Sequence, residues 1–239
     1  MCISDTHEVP NWEQFVPPGD ILIHAGDFSV KGKQAEVKAF QQRLLSFGHR
    51  HKLVVAGNHE ISFDTAKIEQ NRHRFAERFP FLQAENHRQI KALIADHPGI
   101  TYLENSMVEI EGLRIWGSPY QCKYLDWAFQ LTDKGLDSVW EGIPQGVDIL
   151  VTHGPPKTVL DKCVTGKLVG SETLYAQVTK RVKPKLHVFG HVHEQHGTEE
   201  RDGILFVNAA ICDINYKASQ MAVVVDCKLP EKTFTVVNK

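Results

Sequence analysis

Two histidines spaced by one residue, His191-Val192-His193, follow directly on an apolar run closed by a glycine, Leu186 to Gly190. In extended backbone, residues two apart point to the same side, with α-carbons roughly 6.5–7 Å apart. Two imidazoles placed so suit one metal ion, or one each of two neighbouring ions. Taken alone, the pair reads equally well as two loop histidines. Four other polar clusters also sit just past a short apolar run: Asp5 with His7, Asp27, Asn58 with His59, and His153. A lone Asp or His at such a place is ordinarily a turn or cap residue. Five together are different, because the strand ends of an α/β sheet converge on one edge, where ligands bind. The donors on offer are carboxylate oxygen, amide oxygen and imidazole nitrogen. That set suits manganese, iron or zinc, and no cysteine is placed among them as a soft ligand.

The elements that must position these clusters follow from hydrophobic pattern. Ile21 to Ala25 and Lys52 to Ala56 read as buried strands, and between them Val37, Phe40, Leu44 and Phe47 recur at three- and four-residue steps. That periodicity predicts an amphipathic helix over Lys33 to Phe47 and so a strand–helix–strand unit. Helices are expected over Asp64 to Arg78, His87 to His97 and Ser171 to Val182, the last capped by Ser171. Glu111-Gly112 between two apolar runs signals a hairpin. Further strands are expected at Asp148 to Val151, Ile204 to Ala209, Ala222 to Cys227 and Phe234 to Val237. The aromatic, polar segment Gln121 to Ile143 yields no assignment, and its aromatic residues Tyr120 to Trp127 read as core or lid packing. With no repeat or linker, the expectation is a single α/β domain over residues 1–239.

Composition narrows the class of protein. The chain is 42% hydrophobic and 23% charged, with interleaved charges and a formal net charge of −2. That balance carries no signal for nucleic acid or a membrane surface. Five scattered cysteines without a CxxC pattern read as reduced thiols. No apolar run reaches the roughly 18–20 residues of a membrane span, and no signal-peptide pattern opens the chain. A cytoplasmic location is expected.

Taken in order, the blocks DTH, GD, GNHE, THG and GHVH resemble the signature blocks of the calcineurin-like metallophosphoesterases, from Asp5 to His193. The longer stretches DILIHAGDF, VVAGNHE, ILVTHGPP and RVKPKLHVFGHVHE resemble the branch of metallophosphoesterase-domain proteins first noted in animal brain. The resemblance implies a four-layer sandwich of two mixed β-sheets flanked by helices, with two divalent metal ions at the strand ends, manganese foremost and iron or zinc as alternatives. It implies that Asp5, His7 and His193 bind the first ion, that Asn58, His153 and His191 bind the second, and that Asp27 bridges both. Such ions lie about 3.5–4 Å apart and lower a bridging water's pKa toward about 7, which arms it for in-line attack on phosphorus. His59 is implied as the catalytic residue that stabilises phosphoryl oxygens or protonates the leaving group. The implied substrate is a small phosphodiester or nucleotide, cyclic nucleotides included. A phosphomonoesterase, or a weakly active metal-binding scaffold for partner proteins, is the alternative, and the sequence names no protein partner.

Other residues carry plainer readings. His24 and His187, inside apolar strands, are expected to be hydrogen-bonded structural histidines. His49 and His51 are expected in a solvated loop, and His196 near enough to the last block to rim the pocket. Asn208 is read as a turn residue, and Glu60 as a cap or a partner that orients His59. Gly26, Gly57, Gly154 and Gly190 are expected to permit tight exits from strand to loop. Only four residues precede Asp5, so the first strand reads as truncated, either shortened outright or present as a stub over Met1 to Ser4. A missing strand would leave its neighbour with unpaired backbone groups, and the Asp5/His7 site is expected to be the weaker and more mobile of the two.

Overall fold

Side chains along a strand alternate between two faces, and here the alternation sorts them into separate cores. Leu22 and Val54 face one way while Ile23, Leu53 and Val55 face the other; Leu150 and Phe189 likewise point away from Ile149, Val151 and Val188. A computed structural model describes residues 1–237. Its strands are β1 (Cys2–Ile3), β2 (Ile21–Ala25), β3 (His51–Val55), β4 (Thr101–Tyr102), β5 (Ser106–Ile110), β6 (Leu113–Ser118), β7 (Gln121–Cys122), β8 (Gln130–Leu131), β9 (Ile149–Thr152), β10 (Leu186–Phe189), β11 (Gly197–Arg201), β12 (Ile204–Asn208), β13 (Val225–Lys228) and β14 (Thr233–Val236). Its α-helices are α1 (Gln34–Ser46), α2 (Thr65–Gln70), α3 (Arg72–Arg78), α4 (Phe81–Ala84), α5 (His87–Ala95), α6 (Asp133–Glu141) and α7 (Glu172–Gln177).

Two sheets carry the site. The first runs β1-β2-β3-β4 and is parallel throughout. The second runs β11-β12-β10-β9-β6-β5, with four parallel strands in the middle and an antiparallel strand at each edge. Ile23, Val55, Ile115, Val151, Val188 and Val207 share the core between the sheets. Val37, Phe40 and Leu44 of α1 and Ile90 and Ile94 of α5 cover the outer face of the first sheet. Leu136 and Trp140 of α6 and Leu174 of α7 cover that of the second. The result is four layers, helix–sheet–sheet–helix. Because the inner strands are parallel, their carboxyl ends emerge at a common edge.

The chain's opening segment is a paired stub strand. Cys2 and Ile3 lie in parallel register with Ile23 and His24 of β2, and Cys2 and Ser4 form bridges to Val223 and Ala210 on the other side. Residues 2–6 are all buried. β2 therefore has its neighbour, which removes the reason for expecting the Asp5/His7 site to be the weaker.

Other departures from the sequence reading have local causes. The helix expected over Asp64 to Arg78 is split at Asn71, whose side-chain amide donates to the Lys67 carbonyl at 3.3 Å and competes with helix continuation. Ser171 does cap α7, accepting from the Leu174 N–H, but the last turn widens into a π-helical turn over Val178–Val182. The unassigned aromatic segment folds as the β7–β8 pair and α6, the latter capped by Thr132. His49 is buried, in edge contact with the Phe47 ring, and His51 opens β3, so neither lies in a solvated loop. No helix among the described residues is long and apolar enough to cross a membrane.

Candidate metal centre

Each cluster sits where a parallel strand ends: Asp5 and His7 after β1, Asp27 after β2, Asn58 and His59 after β3, His153 after β9, and His191 and His193 after β10. The fold brings all eight residues together. Three groups of donor atoms lie within 4.8 Å of one another: Asp5, His7 and His193; Asp27, His153 and His191; and His7, Asp27 and His59. Asn58 joins the second group through its Oδ1, 3.1 Å from His153 Nε2. Asp27 and His7 belong to two groups each, so the three form one continuous cluster.

The strand exits are strained at the candidate ligands themselves. Asp5, His7, Asp27 and His191 have φ of 53°, 41°, 56° and 69°. Left-handed backbone at a non-glycine residue costs on the order of 1 kcal/mol or more and gathers at functional sites. The glycines beside them serve chiefly as space. A Cβ at Gly57 would run into Asp27, and one at Gly190 would run into Asp5 and Ser4. Each glycine lets one strand exit press against another.

Hydrogen bonds set the orientation of the rings. His153 Nδ1 donates to the Ala25 carbonyl at 2.9 Å, His193 Nδ1 to the Asp213 carbonyl at 3.0 Å and His59 Nδ1 to the Val30 carbonyl at 2.7 Å. In each case Nε2 is the atom left for the cluster. His153 Nε2 then faces two oxygens, Asn58 Oδ1 at 3.1 Å and Asp27 Oδ2 at 3.3 Å. His193 Nε2 faces Asp5 Oδ1 at 3.3 Å and His7 Nε2 at 3.2 Å. Two sets of acceptor atoms thus converge on points that need positive charge. Asp5 Oδ1 and His7 Nδ1 are buried without a hydrogen-bond partner.

Electrostatics repeats the pattern. Burial works to raise both carboxyls, yet the surrounding imidazoles hold Asp5 and Asp27 well below the ordinary carboxylate range. Burial lowers His7 to about 3 and His191 to about 4. His153 and His193 go the other way: against burial, the Asp27 and Asp5 carboxylates beside them lift each to about 9. Asp27 with His153, and Asp5 with His193, therefore each retain a proton at a position a divalent cation can take instead. The nitrogen and oxygen donors fit a borderline-hard ion.

Several buried residues hold the cluster without belonging to it. Glu60 Oε2 accepts the N–H groups of Asp27 (2.9 Å) and Gly57 (2.6 Å), and Oε1 accepts the Ser29 N–H (2.9 Å) and hydroxyl (2.7 Å). It is fully buried and neither caps a helix from solvent nor orients His59; it ties the exits of β2 and β3 together. Burial and the Asp27 charge push its carboxyl up to about 8. Asn208 is no turn residue either. From the end of β12 its amide donates to the Val192 carbonyl at 2.9 Å and the Leu160 carbonyl at 3.3 Å, anchoring the His191–His193 loop. His24 Nε2 donates to Thr6 Oγ1 at 3.0 Å, and His187 Nε2 to Thr152 Oγ1 at 2.9 Å. Both are structural, as their apolar strands suggested. His196 Nδ1 donates to the Ala210 carbonyl at 2.9 Å. Sequence reasoning missed Tyr216, whose ring lies over His7 and His193, and placed Trp127 no better than core or lid, although its ring packs 4.4 Å from that of His59.

Comparison with known proteins bears on the whole arrangement. Residues 1–195 match the family model for calcineurin-like phosphoesterases. Metallophosphoesterase domain-containing protein 1 of human and of mouse are each 40% identical to this chain, covering 98% of it and 72% of their own length. A relative from Caenorhabditis elegans is 36% identical over 96% of this chain and 81% of its own. One solved structure superposes with a TM-score of 0.59, covering 91% of this chain and 87% of the other at 14% identity, which bears on fold alone.

Proposed function

This chain belongs to the calcineurin-like phosphoesterase family of metal-dependent phosphoesterases, and from that premise we propose that it hydrolyses phosphodiesters, cyclic nucleotides among them, with two divalent ions, manganese foremost. Asp5, His7 and His193 would hold one ion and Asn58, His153 and His191 the other, with Asp27 shared. The observation that carries this reading is the position of Asp27. Its Oδ2 lies 3.3 Å from His153 and 3.9 Å from His7, between the two groups, while its Oδ1 is held by the His59 N–H at 2.8 Å. When bound, a metal pair supplies Lewis acidity to phosphoryl oxygens and lowers the pKa of water.

The protein's own part is positioning. Asp5 Oδ2 accepts the His191 N–H at 2.9 Å, which fixes the two halves of the cluster against each other. His59, its Nδ1–H committed to Val30, turns Nε2 toward the cluster with the side chain 13% exposed, more open than His7 and His153 on the same carboxylate. There it can donate to a phosphoryl oxygen or move a proton to the leaving oxygen. The five free cysteines fit a reducing, cytoplasmic setting.

The test is turnover of bis(p-nitrophenyl) phosphate, p-nitrophenyl phosphate and a cyclic-nucleotide panel by purified protein with manganese. Diester turnover abolished by Asp27→Ala is the expected result. Turnover of the monoester alone, or none with any metal, would overturn the diester reading. His59→Ala is expected to lower kcat by about 10²–10⁴-fold with metal content unchanged. Loss of one ion instead would make His59 a ligand, as its grouping with His7 and Asp27 permits.

A further inference from the structure

Among the described residues, Tyr216 is the one aromatic ring that spans three histidines of the cluster while staying half exposed. Its centroid lies 4.8 Å from that of His7, 5.2 Å from His193 and 6.4 Å from His59, and its relative exposure is 51%. A large apolar ring left open to water above a polar cluster is not there for the core.

The loop that presents it is built for the purpose. Tyr216 has a φ of 56°, in the left-handed region that an aromatic residue rarely adopts. That conformation persists because its surroundings over-determine it. The Asp213 carboxylate accepts the N–H groups of Asn215 (2.8 Å) and Lys217 (3.0 Å), and the Asp213 N–H donates to the Lys217 carbonyl at 2.9 Å. The Asp213 carbonyl accepts both the Tyr216 N–H and His193 Nδ1–H, each at 3.0 Å. One peptide oxygen thus fixes the tyrosine loop and a candidate ligand together. The loop also lies beyond residue 195, where the family match ends.

Tyr216 is at the same time a wall of a cleft of about 240 Å³, whose other walls include Val9, Pro10, Asn11, Phe15 and Lys217. That is below the roughly 300–1,000 Å³ of pockets for whole drug-sized ligands, and it suits a single ring system. Apolar surfaces line it, with two amides and a cation among them. We propose that Tyr216 is a specificity-determining residue, and that this cleft receives a planar aromatic substituent of the phosphoester whose phosphoryl group sits at the histidine cluster. The inference rests on the phosphoesterase reading above and adds the substrate's organic part: an aryl or nucleobase-like ring stacked on Tyr216.

The test separates the two readings by using ligands that cannot be hydrolysed. Phenylphosphonate and cyclohexylphosphonate carry the same anionic head on rings of similar size, one planar and one not. Calorimetric titration of the manganese-loaded protein is expected to show phenylphosphonate binding about 10-fold more tightly, within the range of stacking on an aromatic side chain. Tyr216→Ala should bring the two dissociation constants within about two-fold of each other, and Tyr216→Phe should keep the preference. No preference in the unaltered protein, an unchanged preference in Tyr216→Ala, or its loss in Tyr216→Phe would overturn the proposal. So would loss of manganese binding by Tyr216→Ala, which would make the ring a support of the metal site. Ring preference without any diester turnover would sink the catalytic proposal and leave the subsite standing; turnover without ring preference would do the reverse.

Discussion

At the scale of single residues, the least visible carboxylate in the sequence is among the most constrained in the fold. Glu60 follows the conspicuous Asn58 and His59, yet it is the residue that receives four donors from two strand exits. Replacing it with glutamine would aim an amide NH₂ at N–H groups that now find an acceptor. An unsatisfied buried donor costs about 1–3 kcal/mol, so Glu60→Gln is expected to lose about 2 kcal/mol or more in urea unfolding. Because two of those donors belong to Asp27 and Gly57, manganese affinity measured by calorimetry should fall as well. A variant as stable and as tightly metal-binding as the parent would refute this role. Asn208→Leu should loosen the His191–His193 loop in the same way, since the Val192 and Leu160 carbonyls lose their donor.

At the scale of elements, the decisive contact is between β1 and the exit of β10. Gly190 packs so closely on Asp5 and Ser4 that any β-carbon there overlaps them, and the Asp5 carboxylate closes the gap by accepting the His191 N–H. Overpacking of a rigid core site costs about 1–3 kcal/mol. Gly190→Ala is expected to lower the unfolding free energy by at least that much and to reduce the metal content measured on the purified protein. Gly48→Ala, at a position where an added Cβ meets nothing within 4 Å, is the control and should change neither. If both substitutions behaved alike, close approach would not be the reason for glycine at 190.

At the scale of the whole molecule, two sets of buried groups impose opposite pH dependences on the metal-free protein. His24 and His187 are buried among apolar groups, and burial lowers each to about 3; His7 and His191 are lowered in the same sense. Their unfolded value is about 6.5, so below it the unfolded chain binds protons the fold refuses. Each such histidine removes about 1.4 kcal/mol of stability per pH unit as pH falls from 6.5. His153 and His193, lifted to about 9, stabilise the fold below 6.5, and that contribution is lost as pH rises toward 9. Glu60, lifted from 4.5 to about 8, contributes stability that is lost progressively as pH rises between those values. Metal-free protein is therefore expected to be most stable near pH 6.5. Manganese, by replacing the protons at His153 and His193, should flatten the alkaline limb. Urea midpoints from pH 4 to 9, with and without metal, read this directly; an apo maximum at pH 8 or above would contradict it.

Strand-end polar residues identified themselves in the sequence because apolar alternation has a period of two and stops abruptly at Gly26, Gly57 and Gly190. Apolar patterning, at three- and four-residue steps for α1 and in short runs for the β5–β6 hairpin and the strands holding His24 and His187, made these legible too, since burial of one face is a local property of the chain. The short β1 was harder to read: two residues carry too little pattern, and its pairing with β2, Ala210 and Val223 is made by distant segments. Tyr216 was invisible as a site residue, and the roles of Glu60 and Asn208 were misassigned, for a related reason. Their roles depend on which segments, 16 or more residues apart, press together in space, and no spacing rule encodes that. The chain's order of residues determined which atoms could hold a cation; only the packing of two sheets face to face, with their strand ends at a common edge, decided that Asp27 would stand between both groups.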